Sequence, residues 1–198
     1  MNTQQQMDAF LQTQTGETTL LLHSCCGPCS SYVLEYLSQY FTITVLFYNP
    51  CIHPQGEFEL RLAQQKRMIE EKTYTNPVSL LVPPYDPQSF FEAVKGLEDC
   101  AEGGARCEVC FQQRLSHTAQ VAKDLGFSYF ATTLTVSPHK NATLINQVGD
   151  SVQQEGCFYL PSDFKKKNGY KRSLELSKEF QLYRQDYCGC IFSKREEK

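Results

Sequence analysis

Residues 18–29 read Thr-Thr-Leu-Leu-Leu-His-Ser-Cys-Cys-Gly-Pro-Cys. Thr18–His23 is a short, mostly apolar run, which suits a buried strand better than a helix. Beyond the cysteines, Val33, Tyr36, Leu37 and Tyr40 recur at i, i+3, i+4 and i+7, the spacing of one helical face. Phe41–Tyr48 is β-branched and aromatic and stops at Asn49-Pro50, as a second strand would.

The alternation continues outward. Glu57–Lys72 reads as helix and Val78–Val82 as a strand closed by Pro83-Pro84. Asp86-Pro87 is an N-cap with proline at the first helical position, ahead of Phe90, Phe91, Val94 and Leu97. A helix from about Cys107 to Leu125 stops at Gly126. Phe127–Thr133 is a strand, and Ile145, Val148 and Val152 mark a further helix. The expected fold is α/β, a parallel sheet flanked by helices, with ligands beyond the carboxyl ends of the strands. The 198 residues are expected to form one such domain, with 1–17 a polar N-terminal extension and 163–198 a basic C-terminal segment carrying Cys-Gly-Cys.

Composition narrows the function. No run of 18 apolar residues is present, which removes a transmembrane helix. The Gln/Thr-rich start lacks the basic and apolar stretches of a secretory signal, so a cytoplasmic location is expected. Ten cysteines without such a signal argue for metal or redox chemistry rather than a disulfide scaffold. The formal charge of -3 is uneven: residues 163–198 hold ten Lys and Arg against six Asp and Glu, and residues 1–162 hold nine against sixteen. The whole chain is thus no nonspecific polyanion binder, while its basic segment can meet phosphates locally.

Cys25, Cys26 and Cys29 follow the first strand and open the first helix, where backbone N–H groups favour negative charge and ease thiolate formation. Buried cysteines acting as small hydrophobes are the bland alternative, but three thiols within five residues at a strand's carboxyl end oppose it. Cys26-Gly27-Pro28-Cys29 also spells the thioredoxin dithiol, so a thiol–disulfide oxidoreductase using Cys26 and Cys29 is one reading. Against it stand the length of the chain, the extra thiol of Cys25, and a second pair, Cys107-Glu108-Val109-Cys110, preceded by Glu102-Gly103-Gly104. Positions i and i+3 share a helix face, so both sulfurs can address one object. Two separated C-x-x-C units mark a metal site, either structural zinc or an iron–sulfur cluster. Their place at the carboxyl edge, where active sites lie, favours the cluster. Zinc would instead give a zinc-stabilised nucleic-acid-binding module without catalysis. Cys188-Gly189-Cys190 would close a very small, strained and therefore reducible disulfide ring. Two more metal ligands or two unpaired thiols are the alternatives there.

Five segments together resemble epoxyqueuosine reductases of the QueH type. They are Cys25-Cys26-Gly27-Pro28-Cys29, Glu102–Cys110, Thr132-Thr133-Leu134 with Ser137-Pro138, Asp163-Phe164-Lys165-Lys166, and Tyr183-Arg184-Gln185 with Tyr187-Cys188-Gly189-Cys190. The resemblance implies a nucleotide-binding-like (HUP) fold, a 4Fe–4S cluster, and reduction of epoxyqueuosine to queuosine at the wobble position of a tRNA anticodon, the last step of queuosine biosynthesis. It implies Cys25, Cys26, Cys107 and Cys110 as cluster ligands, Cys188 and Cys190 as a redox-active pair, and Cys29 as a ligand of one additional iron. Cys51, Cys100 and Cys157 match no part of the motif, although Cys51 follows a strand end.

Removing an epoxide oxygen to leave an alkene takes two electrons and two protons and releases water. A single cluster passes one electron at a time, so the Cys188/Cys190 dithiol or a second iron is the expected second store, fed by an unidentified electron donor. Asp163, His23, Tyr187 and His139 are the candidate proton donors. Contacts to tRNA are expected at Lys165, Lys166 and Lys171, with Phe164 and Tyr170 stacking on bases, while Lys167 and Arg172 read as solvated charge. No G-x-x-x-x-G-K-[ST] loop is present to suggest ATP use.

Overall fold

The computed structural model describes residues 2–194; the charges at 195–198 counted in the basic segment lie outside the described residues. Strands β1 (Thr19–His23), β2 (Thr42–Leu46), β3 (Val78–Leu81), β4 (Tyr129–Thr132) and β5 (Phe158–Tyr159) form one sheet in the order β3-β2-β1-β4-β5. Every neighbouring pair is parallel. The chain first walks outward from β1 to β3, then returns to the other side of β1 with β4. Loops leaving β1 and β4 therefore diverge, and a crevice opens at their carboxyl ends. This is the expected α/β architecture, and its strand order is that of a nucleotide-binding-like sheet.

Among the described residues seven α-helices surround it: α1 (Thr3–Leu11), α2 (Gly27–Leu37), α3 (Gln55–Glu71), α4 (Pro87–Ala93), α5 (Ala105–Asp124), α6 (Ala142–Ser151) and α7 (Gly169–Glu179). Successive strand residues point to opposite faces. Leu20 and Leu22 join the core with Val33, Leu34 and Leu37 of α2, whereas Leu21 joins Leu115, Ala119 and Ala122 of α5 and Ile145 of α6. Burial on both faces explains why β1 reads as an unbroken apolar run. Each such leucine contributes about 1.5–3 kcal/mol. No described helix is long and apolar enough to cross a membrane.

Three elements differ from the sequence expectation. Part of the polar extension is helix α1, which buries Met7 and Leu11 in the same core as Leu20 and is closed by a capping box between Asn2 and Gln5. Strand β5 is two residues long, and α7 follows Asn168, which takes a left-handed conformation. Phe164 is fully buried in the core beneath α7, so it is closed to base stacking. Gly169 permits that approach: a Cβ there would lie 2.0 Å from the Phe164 carbonyl oxygen.

Candidate active site

Where β1 ends, His23 is fully buried. Its Nε2 lies 3.1 Å from the Tyr48 carbonyl oxygen and its Nδ1 2.9 Å from Thr132 Oγ1. A carbonyl only accepts, so Nε2 carries the proton and Nδ1 accepts from the hydroxyl. Burial, aided by the nearby Arg114 charge, holds the imidazole down at about 3. His23 is thus a neutral clamp between three strand ends rather than a proton donor.

The next residues open α2. Cys26 is its N-cap, the sulfur accepting from the Cys29 N–H at 3.4 Å and from Gln185 Nε2 at 3.0 Å. Cys25 Sγ lies 3.8 Å from Cys26 Sγ, and the sulfurs of Cys25, Cys26 and Cys29 all fall within 4.8 Å of one another. Such a trio favours a single thiolate. Hydrogen bonds from Cys26 and Cys29 hold Cys25 well below the usual thiol value. Burial, followed by the Cys25 contact, pushes Cys26 up to about 12, and the same neighbours raise Cys29.

Helix α5 forms the facing wall. Cys107, Cys110 and Arg114 stand at i, i+3 and i+7, one face of a helix. The Gly103 N–H donates to Cys107 Sγ at 3.2 Å. Cys110 is buried with Cys51 and Cys190 in a small apolar cluster. The Cys110 thiol, hydrogen-bonded to Cys51, holds Cys51 down at about 6. Cys51, which the motif does not cover, therefore belongs to the same wall. Cys157 packs under the sheet, and Cys100 makes backbone contacts alone, its N–H donating to the Leu97 carbonyl and its carbonyl accepting from Arg106.

Two adjoining cavities occupy the cleft. The larger, of about 590 Å³, is bordered by Cys25, Cys29, Tyr170, Arg184 and Cys188. The smaller, of about 40 Å³, is bordered by Cys51, Cys107, Cys110, Cys188 and Cys190. Glu102, Arg114, His139, Lys140 and Cys188 border both. Of the four cysteines expected to hold a cluster, Cys25, Cys107 and Cys110 border the cleft, Cys26 lies fully buried behind Cys25, and Cys107 and Cys110 stand outside the tight trio.

Cys188 and Cys190 are free thiols, as are the other eight cysteines. A buried arginine of α3 fixes their loop. Arg61 donates from Nη1 to the Cys188 carbonyl and from Nη2 to the Tyr187 carbonyl, both at 3.1 Å, while Nε meets Glu57 at 2.6 Å. The Gly189 carbonyl accepts from the His53 N–H, and the Tyr187 hydroxyl donates to the His53 carbonyl. Gly189 has φ of +103°, and a Cβ would come within 2.8 Å of Ile52.

Other expected residues scatter. Asp163 pairs with Lys165, which also donates to the Thr135 carbonyl. Lys167 pairs with Asp8 and Arg172 with Glu35. Lys166 and Lys171 are exposed, and Tyr170 reaches the larger cavity.

Arg114 tests whether the site suits a thiolate-bound centre. It is 4% exposed, and its hydrogen bond runs from Nε to the Cys110 carbonyl at 3.3 Å, with no carboxylate pairing among the described residues. Burial works against its charge, but the sulfurs of Cys110, Cys51, Cys25 and Cys188 more than offset that. A buried cation costs several kcal/mol unless an anion accompanies it. Iron–sulfur clusters are held by thiolates, so the donor set and its counter-charge fit one. Spacing alone carried a hint of Arg114, since it continues the Cys107–Cys110 face.

A family model described as "Epoxyqueuosine reductase QueH" matches residues 20–196. The chain belongs to this family. It is 48% identical over 195 residues to the epoxyqueuosine reductase QueH of Streptococcus pyogenes serotype M1, covering 96% of this chain and 76% of that protein. The Staphylococcus aureus protein of the same name is 45% identical over 184 residues, covering 90% and 76%. The Thermotoga maritima one is 34% identical over 185 residues, covering 90% and 91%.

Proposed function

We propose that this chain reduces epoxyqueuosine in tRNA to queuosine, with thiolates of Cys25, Cys26, Cys107 and Cys110 holding a 4Fe–4S cluster. The observation that carries the reading is the thiol-lined cleft at the switch point, with the buried Arg114 as its counter-charge. Family membership supplies the substrate. When bound, the cluster would supply electrons one at a time. Cys188 and Cys190, bordering the same cleft, would store the second equivalent as a dithiol, and Cys29 would ligate an additional iron. Arg61 positions that dithiol by holding the backbone on both sides of Tyr187–Cys188. Tyr170 at the larger cavity would stack on a base, and the exposed Lys166 and Lys171 would meet phosphates of a folded tRNA. That substrate places the work in the cytoplasm.

A thioredoxin-like role for Cys26 and Cys29 is disfavoured by the third thiol beside them, which shares the same space. The test is iron and sulfide quantification on anaerobically purified protein, followed by mass analysis of the wobble nucleoside after incubation with epoxyqueuosine tRNA and dithionite. Brown protein that removes one oxygen from the nucleoside is expected, with iron lost in Cys107→Ser. Colourless zinc protein, or turnover without iron, overturns the reading.

A further inference from the structure

The chemistry proposed above leaves one requirement unassigned: a donor for the oxygen that departs. In the balanced step the substrate takes up two electrons from the reduced protein and two protons, both epoxide C–O bonds break, a C=C bond forms, and the oxygen leaves as water. Three of the four donors expected from sequence are occupied. His23 is clamped between Tyr48 and Thr132, Tyr187 donates to His53, and Asp163 is paired with Lys165. His139 borders both cavities as well, but it is exposed, so solvent shares its ring, and it is less enclosed than its neighbour. Arg114 is permanently charged and gives up no proton.

Lys140 remains. It borders both cavities, between the Cys25 and Cys29 side and the Cys188 and Cys190 side. Lys72, Lys165 and Lys167 each meet a carboxylate. Lys140 is half-buried, yet among the described residues its ammonium has neither an ion pair nor a hydrogen bond. A half-buried cation whose three donors meet no protein acceptor is free to take an electron-rich ligand atom. Its charge sits among the thiols of the cleft: burial depresses its ammonium, and the charge of Cys25 and Cys188 more than offsets this.

We infer that Lys140 is a catalytic residue that hydrogen-bonds the epoxide oxygen and hands it the first of its two protons, the second coming from water. This rests on the epoxyqueuosine reading. Three measurements on iron-loaded protein test it. With dithionite, Lys140→Met is expected to lower kcat by about 10²–10⁴-fold, the usual range for a lost acid, with KM for the tRNA raised by no more than about tenfold, the share of one ground-state hydrogen bond. Lys140→Arg keeps the charge and is expected to recover part of kcat. Without reductant, so that nothing turns over, the parent protein is expected to bind epoxyqueuosine tRNA about tenfold more tightly than queuosine tRNA, as one charged hydrogen bond to the oxygen provides. Lys140→Met is expected to abolish that preference while keeping its iron.

Undiminished kcat, a purely KM effect (a phosphate contact), or loss of iron (a ligand-holding role) in Lys140→Met each overturns the assignment. An iron-loaded parent protein that fails to reduce the nucleoside overturns the function reading itself, and this inference with it.

Discussion

Replacing Arg61 by methionine removes the tie between α3 and the Cys188–Cys190 loop while keeping an unbranched apolar stem. The native guanidinium is 1% exposed and its Glu57 partner 11% exposed, so solvent screens the pair little. Three contacts vanish at once: the 2.6 Å ion pair with Glu57 and the two 3.1 Å bonds to the carbonyls of Tyr187 and Cys188. A carbonyl left without its donor costs about 1–3 kcal/mol, and breaking a buried pair from one side costs roughly 3–5 kcal/mol. These figures overlap rather than add, because one side chain makes all three contacts. Glu57 also keeps a bond from the Tyr183 hydroxyl at 3.1 Å, which softens its loss. The expected loss of stability is therefore on the order of 3–5 kcal/mol. It would appear as a lower urea midpoint at unchanged m, with faster amide exchange confined first to residues 186–190. Arg61→Lys retains the charge but lacks the fork, and should fall between the two. A methionine variant within 1 kcal/mol of the parent, with protection of 186–190 intact, would refute the claim that this arginine holds the loop.

Two further outcomes follow from contacts away from the thiols. Glu35 joins Arg172 of α7 and Lys72 beside α3, and these cations, Arg172 foremost, hold its carboxyl below the usual range. Its contribution is thus complete above the unfolded value and fades as pH drops through the lower folded one. Glu35→Gln should remove about 1 kcal/mol at neutral pH and flatten the acid side of a melting-temperature profile; parallel profiles would count against the network. Phe164→Ala should cost about 3–5 kcal/mol in unfolding experiments, whereas Tyr170→Ala should leave stability within 1 kcal/mol and weaken tRNA binding. The reverse ranking would return Phe164 to the surface role its sequence neighbours suggest.

Strand β1 and its thiol loop were legible because a doubly buried strand has to be continuously apolar and because cysteines cluster visibly. The two C-x-x-C units, Cys26–Cys29 and Cys107–Cys110, were legible by their spacing, though not their separation into two groups across the cleft. Helix α1 was hidden by its glutamines, since only Met7, Phe10 and Leu11 carry its apolar face. Strand β5 has two residues and exists only because β4 offers an edge to pair with. Cys51 acquires meaning through contact with Cys110, a neighbour in space and not in sequence. Arg61 and Lys140 looked like ordinary polar positions, and Arg114 only continued a helix face, because a cation's worth here depends on what surrounds it after folding. Lys165 shows the converse: a promising run of lysines loses that member to Asp163 close by.

The sulfur atoms of this cleft come from residues 25–29, 51, 107–110 and 188–190. A ribosome therefore makes the first three thiols long before it makes their counterparts across the crevice. Metal offered to the nascent chain would meet half a ligand set, open to air and to wrong partners. On the proposed ligand set, a cluster could be seated only once α5 has emerged beside the first loop, and the dithiol loop with its arginine would close over it last, so filling such a site would be a step separate from making the first thiols.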